Sequence, residues 1–190
     1  MKKNLVIAFW FALVTTVMFG ILYPLAVTGL AQVLFPTRAN GQLIEKNGKT
    51  VGSRIIGQTF TEPGYFQSRP SNAGTGYDAT ASSGSNLGPT NKKLLDRVKG
   101  DVEKLKAENP TTAIPVDLVT SSGSGLDPEI SPAAAEFQIP RVARERAMKE
   151  EDLRTLVQKH TKDRDLGFLG ELRVNVLELN LDLDSVHPLR

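Results

Sequence analysis

Residues 4–37 carry no charged side chain, and the run follows directly on Lys2 and Lys3. About 20 apolar residues suffice to cross the roughly 30 Å hydrocarbon core of a bilayer at about 1.5 Å per helical residue. Such a segment is expected to anchor the chain in a membrane, with the remainder a tethered domain. A cleaved secretory leader starts in the same way, but its apolar region spans only about 7 to 15 residues and ends at a small-residue site. Residues 5–22 already exceed that length, no clear A-x-A site closes them, and a chain without cysteine cannot carry a lipoprotein anchor. Two lysines on the short flank, against Arg38 alone near the other, place the N-terminus in the cytoplasm and residues from about 37 onward outside. The absence of cysteine fits either compartment.

Within this anchor Ala8, Ala12, Thr16 and Gly20 recur every four residues and therefore share one helical stripe, beside the larger Phe9, Leu13 and Val17. Lipid supplies little hydrophobic drive for helix association, so a small-residue stripe that lets backbones approach is a usual means of docking; the alternative is the general richness of membrane helices in small residues. Pro24 marks a kink or a bend near the outer interface. Trp10 and Tyr23, toward opposite ends, suit interfacial positions.

Residues 37–190 suffice for one globular domain with its own core. All 21 acidic residues lie there, with all but two of the 23 Lys and Arg, so this part is formally neutral. That balance argues against nucleic acid as a partner and against a polybasic membrane-surface patch. The pattern predicts a mixed α+β domain with few strands. Leu43, Ile44 and Val51 flank Asn47-Gly48, the signature of a two-residue hairpin, and residues 55–58 and 116–119 read as further short strands. Residues 71–90 collapse into Gly, Ser, Ala, Thr and Asn, which reads as a long surface loop, either mobile or fixed by a partner. Leu94, Leu95, Val98, Val102 and Leu105 mark one face of an amphipathic helix ending before Pro110. Ser131 and Pro132 form a helix start, with Pro140 expected to interrupt that helix and further helical pieces at 141–149 and 151–160. Leu172, Val174 and Val176 alternate as in a strand, and the phase change after Leu177 calls for a bulge or a switch to helix.

No catalytic or metal site is legible. His160 and His187 lack ligand spacing and read as surface residues. Gly48-Lys49-Thr50 ends like a phosphate-binding loop, yet Leu43 stands where the first glycine is required. Gly74, Gly76 and Ala79 spell a dinucleotide motif without its strand and helix. Two other stretches stand out. Tyr65, Phe66 and Arg69 set aromatics beside an arginine, a composition that suits either a partner contact or local packing. Ser121, Ser122, Gly123, Ser124 and Gly125 form a glycine-rich turn suited to close approach of a partner or an anion, or simply to a structural turn. A serine of that turn, with a histidine folded back as base, is what an anchored extracytoplasmic hydrolase would need.

The run Tyr65-Phe66 with Arg69-Pro70-Ser71 is followed by Gly123-Ser124-Gly125-Leu126-Asp127-Pro128, Ile130-Ser131-Pro132 and Ala134-Ala135. After these come Arg141-Val142-Ala143-Arg144 and Arg173-Val174-Asn175-Val176 with Leu179-Asn180. In this order, behind one N-terminal span, the set resembles the C subunit of the Kdp high-affinity potassium-transporting P-type ATPase of bacteria, over nearly the whole chain. The resemblance implies a non-catalytic accessory subunit of a bacterial inner-membrane pump. A channel-like A subunit carries potassium, a B subunit hydrolyses ATP through a phosphoaspartate, and a small F subunit completes the complex. It also implies support of assembly and a catalytic-chaperone effect on the ATP affinity of the B subunit, with possible nucleotide contact but no tightly bound cofactor. The absence of an Asp before Lys49-Thr50 agrees with that division of labour. Nucleotide contact at Ser121 to Gly125 conflicts with an extracytoplasmic domain, so the expected arrangement is a cap over the potassium entrance, acting on ATP affinity through the helix bundle.

Overall fold

A computed structural model describes residues 1–189. It comprises two compact units, Met1–Val51 and the remainder from Gly52 onward. A boundary after residue 36 would instead have assigned the hairpin wholly to the second unit.

The first unit is a helical rod, α1 (Lys2–Thr15), a π-helical stretch (Thr16–Leu22) and α2 (Tyr23–Leu34), followed by the single turn α3 (Pro36–Ala39). It runs 33 residues from Lys2 to Leu34, its most apolar 18-residue stretch has a mean hydropathy of 2.5 and none of it is buried, so by length and composition it can cross a membrane. The π-helical stretch accounts for Pro24. Proline cannot donate to a carbonyl one turn back and its ring crowds that carbonyl. Wider turns, with the Tyr23 amide reaching Met18 O, precede the proline, so the rod continues. After it, β1 (Leu43–Lys46) and β2 (Lys49–Ser53) pair through Asn47-Gly48, both at positive φ (54° and 73°), as a type I′ turn requires.

The second unit places helices over a small antiparallel sheet of order β3-β5-β4, from Glu129–Ile130, Arg173–Asn175 and Thr161–Lys162. Glu129 pairs with Asn175, Ile130 with Val174, and Val174 also with Thr161, so the short strand β5 is central and Val174 is fully buried. The helices are α4 (Lys92–Glu108), α5 (Pro132–Arg146), α6 (Glu150–His160) and α7 (Val176–Val186). Phe66, Phe137, Ile139, Val142, Leu153, Leu179 and Leu183 form the core between them. The Ser131 hydroxyl accepts the Ala134 amide (3.0 Å), the N-cap expected from Ser131-Pro132. Asn91 and Asn175 cap α4 and α7 in the same way. The phase change near Leu177 is a switch to helix.

Three expectations fail for tertiary reasons. Pro140 does not interrupt α5, because Ile139, Val142 and Ala143 on either side of it are buried and packing outweighs the lost backbone bond. Residues 116–119 are a 3₁₀ turn (Val116–Leu118) rather than a strand, burying the consecutive pair Leu118 and Val119 as no alternating strand could. Residues 55–58 are not a strand: a turn at 54–55 is closed by one bridge from Ser53 to Ile56, and the Gly57 amide then donates to Leu126 O (2.8 Å). Residues 71–90 lack helix and strand, as expected of a loop.

Candidate functional site

Tyr65 and Phe66 lie in a segment gripped by side chains from α5 and α7. Phe66 is fully buried, its amide donating to Asn180 Oδ1 (2.9 Å) while Asn180 Nδ2 donates to its carbonyl (2.9 Å). Gln138 does the same for the next residue, accepting from the Gln67 amide (2.7 Å) and donating to Gln67 O (3.1 Å). Two carboxamides thus supply to residues 66 and 67 the bonds that a neighbouring strand would give. Arg141 donates to Glu108 (2.8 Å), Tyr65 O (2.9 Å), Gln138 Oε1 (2.7 Å) and Pro63 O. Arg146, its side chain wholly shielded from solvent, donates to Gly64 O (2.7 Å), His187 O (2.6 Å) and Asp184 (2.8 Å), with its guanidinium 4.7 Å from the centre of the Tyr65 ring. The Tyr65 hydroxyl donates to Asp184 (2.9 Å), and burial, reinforced by that carboxylate, raises its pKa. The geometry of Phe66 is that of local packing: its ring fills the core and presents nothing to a partner.

Arg69 joins this segment to the glycine-rich turn. It donates to Asp127 (2.8 Å) and Thr120 O (3.3 Å). The Ser71 hydroxyl donates to Gly125 O (2.6 Å), Ser83 N to Ser124 O (2.9 Å) and the Ser82 hydroxyl to the same carbonyl (3.0 Å). The loop at 71–90 is therefore held by its own chain. Gly125 sits at φ +67°, and a Cβ there would lie 2.5 Å from Ser83 O, so glycine is required where the loops cross. Tyr77 seals the junction by donating to Arg69 O (2.6 Å), and its burial pushes the phenol up to about 12. Gly123 and Ser124 remain exposed, Ser121 and Ser122 half-buried.

Beside this junction runs a groove of about 540 Å³, whose lining includes Arg69, Asp117, Thr120, Asp127, Glu129 and Arg173. Asp117 accepts from the Ser131 amide (2.8 Å) and hydroxyl (3.1 Å), and Arg173 pairs with Glu129 (3.3 Å) and Asp165 (3.1 Å). Burial raises the pKa of Glu129, with Arg173 opposing. Glu129 and Asp117 carry no signal in the sequence and Arg173 enters only through the resemblance, since each is an ordinary charge until the fold brings them to one groove.

His160 and His187 are half-buried rather than surface residues. His160 Nε2 bonds Asp182 (2.8 Å), while the hydroxyls of Ser122 and Ser124 approach each other (3.4 Å) and Ser124 Oγ accepts the Leu126 amide (3.1 Å). Among the described residues no histidine is bonded to a serine of the turn, the contact a hydrolase would use. Nor is there a His, Cys, Asp or Glu group able to hold a metal among them. In the rod, Ala8 and Ala12 of α1 and Thr16 and Gly20 of the π-helical stretch are all exposed, and a Cβ on Gly20 would meet Thr16 Cγ2 at 3.8 Å.

Residues 5–185 match the protein family described as K+-transporting ATPase, c chain. The chain is 62% identical over 189 residues to the potassium-transporting ATPase KdpC subunit of Koribacter versatilis, covering 100% of this chain and 98% of that relative. It is 55% identical over 197 residues to the KdpC subunit of Rhodopseudomonas palustris strain BisB18 (97% and 99% covered), and 58% identical over 174 residues to that of Caulobacter vibrioides strain NA1000 (91% and 88%). With nearly all of its apolar rod and of its α+β unit inside the matched span, the chain belongs to the KdpC family.

Proposed function

We propose that this chain is a non-catalytic accessory subunit of an ATP-driven potassium-uptake pump in a bacterial inner membrane. It crosses once, with the N-terminus in the cytoplasm and the unit from Gly52 onward outside. The observation that carries this reading is the exposed rod from Lys2 to Leu34, uncharged from Asn4 onward, within a chain matched from residue 5 to 185 to a potassium-transporting ATPase family. A helix with no buried residue needs lipid or another helix around it.

The stripe of Ala8, Ala12, Thr16 and Gly20 supports docking to a helix of the channel-like A subunit or of the small F subunit. On this reading the outer unit caps the potassium entrance. It favours ATP binding by the B subunit through coupling along the bundle, typically about 1–3 kcal/mol, rather than by holding nucleotide at Ser121 to Gly125. Intramolecular bonding of Ser124 O and Gly125 O within the loop junction supports a structural role for that turn.

The test is purification of the complex with Gly20→Leu or Ala12→Leu in this chain. Release of the chain and a raised KM for ATP in potassium-stimulated hydrolysis are expected. Normal co-purification with an unchanged KM overturns the docking assignment, and protease access to the outer unit only in inside-out vesicles overturns the capping arrangement.

A further inference from the structure

Beyond the rod, four of the large apolar residues left in solvent fall within residues 166–172: Leu166, Phe168, Leu169 and Leu172, with Leu166 83% and Phe168 70% exposed. They ride on a hairpin between β4 and β5. Asp165 and Leu169 exchange backbone bonds (2.8 and 2.9 Å), and the Gly167 amide donates to Arg164 O (3.1 Å). Leu166 and Gly167 both have positive φ, 54° and 81°. Asn47 and Gly48 have similar φ in a shorter, two-residue turn, but here leucine stands where asparagine or glycine is favoured. A bulky side chain in the left-handed region is strained, and such strain is characteristic of sites that clamp a ligand.

The hairpin is also stiffened at its base. Arg173 donates to Asp163 O (3.1 Å) and pairs with Asp165, and Arg164 pairs with Glu171 (2.9 Å). A rigid, apolar, ion-rimmed projection loses little entropy on docking. Continuity with the adjoining groove comes through Leu172, which lines it opposite the exposed Val116. The surrounding charge selects the occupant. Between 163 and 173 three carboxylates accompany two guanidinium groups, and the groove adds Asp117, Asp127 and Glu129 against Arg69; Lys162 is turned to Glu178. An acidic border is repelled by an anionic lipid surface and attracted by basic protein.

We infer that the hairpin at 164–170, with Leu172 and Val116, is the docking surface for another subunit of the same pump, one presenting an apolar socket bordered by Lys or Arg. The inference rests on the pump-subunit reading and names the surface that reading leaves open. It is tested in the full complex with a photo-crosslinking amino acid at position 168 and with the double variant Phe168→Asp, Leu169→Asp. Both positions are exposed, so folding is retained, and a circular dichroism melt confirms it. A crosslink to another pump subunit, and at least about a tenfold loss of the variant from the purified complex, are expected. Crosslinks only to lipid or to a second copy of this chain, or full retention of the variant, overturn the inference while leaving the pump reading intact. Failure of the unaltered chain to co-purify overturns both.

Discussion

Around residues 63–67 charge lies inside, and in the hairpin at 164–170 hydrocarbon lies outside. The first segment is wrapped by Arg141 and Arg146, two guanidinium groups in the shielded interior. The second displays Leu166 and Phe168 to water. Both invert the usual distribution, yet for different reasons. The hydrogen bonds of the buried arginines are met within the chain, by carbonyls of Pro63, Gly64, Tyr65 and His187, the side-chain oxygen of Gln138 and carboxylates of Glu108 and Asp184. The exposed leucine and phenylalanine have no such internal account. An inversion that closes on itself is architecture, and one that remains open faces outward to something else.

The strongest way to break this contrast is to open the closed side. Arg146→Met leaves the Gly64 and His187 carbonyls without their side-chain donor and Asp184 with the Tyr65 hydroxyl alone; loss of one partner of a buried pair costs about 3–5 kcal/mol, and the lower end applies here because Asp184 is partly open to solvent. Arg144→Met, two residues away on the same helix, removes an exposed cation paired only with its neighbour Glu145 and changes stability by less than about 1 kcal/mol. Urea unfolding of the full chain in detergent, followed by circular dichroism, separates them. Equal losses in the two variants would show that burial of Arg146 is not what closes the segment.

How far this contrast was legible in sequence follows from the distance over which each signal acts. The Asn47-Gly48 hairpin, helix α4, the Ser131-Pro132 start and the switch near Leu177 are written in neighbouring residues and were readable. Tyr65, Phe66 and Arg69 stood out by composition. Their roles did not, because Asn180 lies 114 positions from Phe66 and Gln138 lies 71 from Gln67. Pro140 and residues 116–119 were misread because packing overrode local preference. The hairpin at 164–170 has no such local signal, since Leu-Gly does not spell Asn-Gly or Asp-Gly.

A half-exposed charge cluster occupies the middle ground, and pH probes it. Hydrogen bonds from Lys159 (2.7 Å) and then His160 (2.8 Å) hold the Asp182 carboxyl near about 2, below its ordinary 3.8. A carboxyl with a depressed folded-state pKa contributes stability that is full above 3.8 and is lost as pH falls through about 2. The melting temperature is therefore expected to fall between pH about 4 and 2 more steeply in the unaltered chain than in Asp182→Asn. Parallel curves would show that α6 and α7 are joined by packing alone. The effect is smaller than that of Arg146→Met, because this cluster is partly open to solvent.

The smallest effect sharpens the comparison most, because it exchanges residues between two turn positions of the same φ. Asn47 and Leu166 have φ of 54° each, followed by glycines at 73° and 81°. Asparagine tolerates this region and leucine does not, so Leu166→Asn is expected to raise stability and Asn47→Leu to lower it, each by about 1 kcal/mol. Paired melts of the two variants give the signs. If Leu166→Asn also destabilises, the leucine makes contacts within the isolated chain that offset its strain, and the hairpin belongs with the closed inversion of residues 63–67. If it stabilises the chain while weakening the assembled complex, the strain is retained for a partner. Selection for stability alone would favour asparagine or glycine at position 166, as at 47; Tyr77 holds a similar φ of 56° but closes on Arg69 O within its own chain, whereas Leu166 is exposed, and that difference is what the paired variants test.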